Sequence, residues 1–174
     1  MNRFYKLALS TIALLCLTVS SPPRGALATQ QTAQQSAKIN LEIDLPDVVA
    51  EVKVAYDRYN QAVNSNNVAV LDATFRNDPR TIRYGNAENL YGYKEIEAYR
   101  AAIRAPAGAP RTLSKTVITT YGRDFAVAST LTHRANAPGK VGRQMQTWVR
   151  LPEGWRVVAA HVSTIDVPPA DRPQ

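Results

Sequence analysis

The residues with the clearest capacity for chemistry lie at positions 81–93, which read TIRYGNAENLYGY. Arg83 stands between Ile82 and Tyr84, and the alternation of a strand points its side chain to the face opposite both neighbours. An arginine in such a strand is either solvated or held in a cavity by a carboxylate or a bound anion. The stretch therefore predicts a short strand that carries an exposed arginine or an anion-binding one.

Tyr56 and Tyr59 lie on the apolar face of a predicted helix over residues 48–64, where a buried tyrosine hydroxyl needs a hydrogen-bond partner. That face repeats at helical spacing through Val48, Val52, Tyr56, Tyr59 and Val63. A guanidinium near a buried tyrosine hydroxyl favours the ionised hydroxyl and so suits it to general acid–base chemistry. The alternative is that Arg83 pairs with Glu88 or a surface acid while Tyr59 is a satisfied core hydroxyl. The residues leave both interpretations open.

Two further candidates, Gln146 and Trp148, share one face of a predicted strand over residues 141–151. Their side chains suit an amide-bearing ligand, and they suit a contact between two sheets equally well. Strand alternation alone does not say which face lines a cavity and which meets a partner subunit.

His161 and Glu88 complete the candidate set for ligand contact. His161 is predicted to share a strand face with Trp155 and Val157, either as an acid–base group or as a packed core histidine. Glu88 could orient Arg83 or a water molecule, and it could equally cap the helix that follows the stretch.

Signals for a metal or a cofactor are missing from the sequence. His133 and His161 are the only histidines, they are far apart, and two such residues do not form a ligand cluster. The sequence also lacks a phosphate-binding glycine loop and the signatures of a serine nucleophile. We therefore expect no metal site and no cofactor.

The amino terminus reads as a secretory leader. A basic start is followed by a short apolar run and by an A-x-A cleavage site at residues 26–28. We expect cleavage after Ala28 and a periplasmic or secreted bacterial protein, with a retained membrane anchor as the alternative. The mature chain then has no cysteine and carries 18 basic against 14 acidic residues. This excess is too small to indicate nucleic-acid binding, and after cleavage we expect no membrane association.

The remaining elements predict an α+β domain. Residues 29–45 form a flexible tether, 46–166 the domain and 167–174 a mobile tail. Helices are expected over 48–64, 68–75 and 94–104, and an antiparallel meander over 111–121, 125–134, 141–151 and 155–165. This order predicts a curved antiparallel sheet that wraps the helices and encloses a cone-shaped cavity for a small molecule.

Several motifs carry a family resemblance. The RYG strand, ENLYGY, TYGRDFA and QTWVRLPEGWRVVAAHVS resemble the AtzH-like family, which includes HpxZ-type proteins of oxalurate catabolism. The resemblance covers about residues 46–165. It implies the nuclear transport factor 2-like (NTF2-like), SnoaL-like and cystatin-like cone fold, and a homodimer through the open sheet face.

The resemblance also implies a function. Family members act as amidases or decarboxylating deaminases on ureido or N-carboxylated urea compounds in nitrogen catabolism. A tyrosine of the first helix and the arginine of the RYG strand are the residues implicated, and they correspond to Tyr59 and Arg83 here. The alternative is a non-catalytic periplasmic module of the same fold that binds a small acid.

Overall fold

The computed structural model describes residues 41–103 and 109–168. The predicted leader, most of the tether and most of the tail lie outside these ranges. Within them no helix is long and apolar enough to span a membrane. The helices are α1 (Pro46–Ser65), α2 (Val68–Thr74) and α3 (Tyr93–Ala102). The strands are β1 (Ile82–Tyr84), β2 (Asn89–Tyr91), β3 (Arg111–Tyr121), β4 (Phe125–Arg134), β5 (Lys140–Leu151) and β6 (Gly154–Asp166).

Helix α1 carries the predicted apolar face into the core and has clear start and stop signals. Pro46 occupies the first turn, where its missing N–H costs no hydrogen bond. The helix ends at Asn66, which adopts the left-handed conformation (φ 51°) and donates its backbone N–H to the last turn. Asn67 then accepts a hydrogen bond from the Val70 N–H at 3.2 Å and so caps α2. Tyr59 is thereby placed on a well-defined helix.

The six strands form one sheet in the order β2-β1-β6-β5-β4-β3. The meander from β3 to β6 is antiparallel, as the short connections predicted. Strand β1 joins the sheet parallel to β6, with Arg83 opposite Ala160, and β2 pairs antiparallel with β1. The sheet thus gains two short strands at the β6 edge, of which β2 was not among the predicted elements.

A β-bulge in β6 corrects one prediction about His161. Thr147 pairs with Ala159, whereas Trp148 pairs with Val157, so Val158 is an extra residue on β6. Such a residue reverses the alternation of side chains on either side of it. Val157 is buried on the face that meets the helices, while His161 is exposed on the other face. The prediction that the two share a face was wrong.

The core lies between the helices and one face of the sheet, which we call the inner face. Trp148 of β5 is fully buried and meets the rings of Tyr56 and Tyr59 edge-on, with ring centroids 6.5 Å away in each case. Burial of a large side chain contributes about 1.5–3 kcal/mol. These contacts hold α1 against β5 and fix where the Tyr59 ring lies.

Candidate functional site

Tyr59 and Arg83 line the same cavity. It has a volume of about 330 Å³ and lies among the three helices and strands β1, β3, β4 and β6. We call it the arginine cavity, because its polar lining consists mainly of arginine and tyrosine side chains: Tyr59, Arg83, Tyr99, Arg100, Arg111 and Arg134. Val63, Leu71 and Val162 supply apolar lining. The pocket therefore combines apolar surface with a concentration of positive charge.

Arg83, which lines this cavity, forms a salt bridge with a carboxylate. Its guanidinium donates to the Glu88 carboxylate and lies 5.6 Å from the centre of the Tyr99 ring. Burial opposes the ionisation of Glu88, but the hydrogen bonds from Arg83 and the Ala87 N–H prevail and lower the pKa of that carboxyl. Burial and the neighbouring Glu88 raise the pKa of Tyr99. Arg83 thus pairs with Glu88, as one interpretation of the sequence proposed, and it also lines a cavity, as the other proposed.

A backbone feature makes the Arg83–Glu88 pair possible. The Glu88 side chain folds back over Gly85, and a Cβ at position 85 would overlap the carboxylate. The Gly85 N–H donates to the Glu88 carbonyl at 2.8 Å, which closes the turn between β1 and β2. Glycine at position 85 therefore leaves the space that Glu88 needs to reach Arg83.

The sequence analysis missed Arg111. This arginine begins β3 and is only 8% exposed. Its guanidinium donates to the side-chain oxygens of Asn60 and of Gln144, the latter at 2.9 Å, while its Nε is buried without a partner. The Asn64 side chain bonds both the N–H and the carbonyl of Arg111, each at 3.1 Å. Burial lowers the pKa of Arg111. It is a desolvated cation fixed by neutral groups.

The four arginines in the described lining of the cavity differ in how their charge is matched. Arg83 has Glu88, and Arg100 has Asp72 at 2.7 Å. Within residues 41–103 and 109–168, neither Arg111 nor Arg134 forms a salt bridge; Arg134 donates to the Ala109 carbonyl. The two lie opposite each other in the β3–β4 ladder. The cavity therefore holds two positive charges that the described part of the chain does not neutralise.

Tyr59 contacts Arg111 rather than Arg83. Its ring centre lies 5.9 Å from the guanidinium carbon of Arg111, and the described contacts include no hydrogen bond between Tyr59 and Arg83. The predicted Tyr59–Arg83 pair thus shares one cavity without direct contact. A ligand in the cavity could meet a phenol and guanidinium groups together, which suits anion binding and acid–base chemistry.

The other predicted site residues lie elsewhere. Gln146 and Trp148 face the helices and are fully buried, and neither lines the arginine cavity. Their side-chain N–H groups, Gln146 Nε2 and Trp148 Nε1, have no hydrogen-bond partner among the described residues. His161 lies on the outer face, in a depression of about 450 Å³ that it shares with Met145 and Arg143. The structure therefore gathers Tyr59, Arg83 and Glu88, and it separates His161 from them by the thickness of the sheet.

Metal-binding groups are not assembled in the described part of the chain. No three histidine, cysteine, aspartate or glutamate side chains there are placed to hold an ion.

Comparisons with solved structures show the same fold in other proteins. A DUF3225-family protein from Pectobacterium atrosepticum is 54% identical, with a TM-score of 0.67 over 71% of this chain and 95% of its own. A cystatin-like protein from Burkholderia xenovorans is 44% identical, with a TM-score of 0.70 over 74% and 100%. An NTF2-like protein from Streptomyces avermitilis, proposed to be a dehydratase, is 18% identical, with a TM-score of 0.58 over 70% and 99%.

The family assignment rests on the whole described domain. None of the curated proteins compared with the chain matches it. The helices and the curved sheet form the NTF2-like, cystatin-like fold that the family resemblance implied. The profile of one family matches residues 41–168, which include all the helices and strands described above and the described lining of the arginine cavity. The chain belongs to the AtzH-like family.

Proposed function

We propose that the arginine cavity binds a small acid with an amide or ureido group, and that the protein hydrolyses that group. Tyr59 is the acid–base residue, and Arg83 binds negative charge. One observation carries the proposal: Tyr59 and Arg83, which are 24 positions apart in the sequence, line one cavity whose arginines outnumber their carboxylate partners. A cavity of this size accommodates a small metabolite.

Membership of the AtzH-like family supports the choice of substrate class. The chemistry is consistent with it, since amide hydrolysis places negative charge on the carbonyl oxygen in the transition state. A guanidinium stabilises that charge, and water is excluded from much of the lining by apolar side chains. Water adds to the carbonyl carbon and the C–N bond breaks as the Tyr59 hydroxyl donates its proton to the leaving nitrogen. The resulting phenolate takes up the proton that the water loses, which restores the hydroxyl.

The test is turnover of defined substrates by the purified mature protein. Ureidoacetate, oxalurate and an N-carboxylated urea are incubated with wild type, Tyr59→Phe and Arg83→Gln, and released ammonia and urea are measured. We expect turnover of at least one compound, and a loss of about 100-fold or more in Tyr59→Phe if the hydroxyl is the general acid. No turnover by wild type, or full activity in both variants, contradicts the catalytic role.

A non-catalytic small-acid binding module is the second candidate. It is favoured by the pairing of Arg83 with Glu88, because that guanidinium is already neutralised. A thermal-shift series with the same acids separates the two candidates, since a ligand that binds the folded state raises its stability in proportion to ln(1 + [L]/Kd). Stabilisation without turnover identifies a binding module, whereas stabilisation with turnover identifies an enzyme.

The outer face of the sheet is our proposed homodimer contact. It exposes large apolar side chains, including Val117 and Met145, the latter 57% exposed. Exposed apolar side chains grouped on one sheet face are typical of a protein–protein contact. Met145→Glu is expected to shift the mass measured by light scattering from two chains towards one, with Val54→Glu on α1 as the control. A wild-type protein of one-chain mass contradicts the proposed dimer.

We also propose export from the cytoplasm, on the basis of the leader-like residues 1–28. Cell fractionation followed by amino-terminal sequencing tests this. We expect the protein in the periplasm or the medium with Thr29 as its first residue. A cytoplasmic protein that retains the leader contradicts the proposal.

A further inference from the structure

We infer that Arg111 and Arg134 form the carboxylate-binding subsite of the arginine cavity, separate from Arg83. This inference rests on the proposed small-acid ligand and deepens it by saying which groups hold the acid. The subsite consists of the first residue of β3, its cross-strand partner on β4 and the adjacent Tyr59 ring.

The first argument is the environment of the Arg111 charge. Removal of a cation from water is costly unless it is paired or fully hydrogen-bonded. Arg111 is nine-tenths buried, yet none of its described partners is a carboxylate: its guanidinium donates to the neutral amides of Asn60 and Gln144 and lies beside the Tyr59 phenol, and among the described residues its Nε has no partner. A guanidinium presents five N–H donors in a fork that matches a carboxylate. The group is therefore preorganised for an anion.

The second argument is the neighbouring charge. Arg134 lies directly opposite Arg111 in the ladder, and like charges in such a cross-strand pair destabilise a sheet. Arg134 also lines the cavity, and among the described residues only the Ala109 carbonyl accepts from its guanidinium. A bound carboxylate between the two guanidinium groups relieves this repulsion, because it supplies the negative charge that both lack.

The third argument is the contrast with the other two arginines. Arg83 and Arg100 line the same cavity, and each already holds a carboxylate of the chain. A ligand acid that bound there would compete with Glu88 or Asp72. At Arg111 it competes only with neutral hydrogen-bond acceptors. The acid end of the ligand consequently lies beside the Tyr59 ring, and the remainder extends towards Arg83.

The experiment compares acids with their neutral amides, which have nearly the same size. One probe pair is ureidoacetate and ureidoacetamide, and the other is propionate and propionamide, which lack the ureido group. Dissociation constants come from calorimetric or NMR titration of the full mature chain. For wild type we expect each acid to bind about 10- to 100-fold more tightly than its amide, the range of a charge-assisted hydrogen bond.

Three variants locate the preference for the acid. Arg111→Lys keeps the charge but loses the fork, and Arg134→Gln removes an exposed charge with little risk to the fold. Both are expected to reduce the acid-to-amide ratio by about 10-fold. Arg58→Gln is the control, because Arg58 lies next to Tyr59 in the sequence but lines a different groove. It should keep the wild-type ratio.

The outcomes separate this inference from the proposed function. An unchanged ratio in both Arg111→Lys and Arg134→Gln overturns the subsite, even where ureidoacetate is bound and hydrolysed. A preference for propionate that depends on Arg111 or Arg134 supports the subsite, even where no ureido compound is turned over. A wild-type protein that prefers neither acid to its amide overturns the subsite as well.

Discussion

Replacement of Glu88 by glutamine removes the carboxylate that Arg83 holds and keeps the shape of the side chain. The pair is largely shielded from solvent, with the two side chains 19% and 13% exposed. A hydrogen bond between charged groups contributes about 1.5–3 kcal/mol and a neutral one about 0.5–1.5 kcal/mol. The variant should therefore lose roughly 1–2 kcal/mol of unfolding free energy near neutral pH.

The loss should also depend on pH in a defined direction. The pKa of Glu88 is lower in the folded protein than its ordinary value of 4.5. The folded state is thus stabilised above that value, and the stabilisation disappears as the pH falls through the lowered pKa. The difference in unfolding free energy between wild type and Glu88→Gln should be constant above about pH 6 and should shrink below about pH 4.5.

Urea unfolding followed by circular dichroism, repeated between pH 3 and pH 8, measures this difference. Asp57→Asn is a matched control, because the Lys53–Asp57 pair on α1 is exposed and should contribute less than about 1 kcal/mol. A difference that is the same at pH 3 and pH 7 would refute the reasoning, since it would mean that the charge of Glu88 does not stabilise the fold. Glu88→Gln should also bind ureidoacetate more tightly, because Arg83 is then unmatched.

Three further outcomes follow from the contacts. Gly85→Ala should displace Glu88 by steric overlap, so its stability loss should not add to that of Glu88→Gln in the double variant measured by urea unfolding. Asn64→Ala should cost about 1–3 kcal/mol and weaken ureidoacetate binding in calorimetry, because Arg111 loses the side chain that bonds both of its backbone groups. Deletion of Val158 should leave a cooperative unfolding transition in urea, because Val157 and Ala159 already pair with the consecutive residues Trp148 and Thr147 and every side chain of β6 keeps its present face.

Strong periodicity explains why most of the fold was predictable. The 3.6-residue repeat of α1 and the turn residues between β3, β4, β5 and β6 mark those elements within about two residues of their observed ends. Strand β2 was not predicted, because it has three residues and lies in a composition typical of turns. The bulge at Val158 has no compositional signal of its own, so the face of His161 was assigned wrongly.

The site was predictable only in part, because a pattern along the chain does not reveal long-range neighbours. Tyr59 and Arg83 were predicted as site residues from the chemistry of their side chains and from the family resemblance, and both line the cavity. Arg111 bonds Asn60 and Gln144, which are 51 and 33 positions away in the sequence. In the sequence it is an ordinary first residue of a strand. Its burial without a carboxylate becomes visible only in three dimensions.

The parallel pairing of β1 with β6 has a consequence for the order in which the protein becomes competent to bind. Arg83 takes its place opposite Ala160, which is 77 positions further along the chain, so this side of the cavity depends on one of the longest-range pairings in the described fold. Pairings of high sequence separation form slowly, since a long loop must close first. During synthesis the helices and β3 are available early, yet the cavity is completed only when β6 has left the ribosome and paired. Ligand binding is therefore a late event in folding, and a chain that binds ligand has already paired β6 with β1.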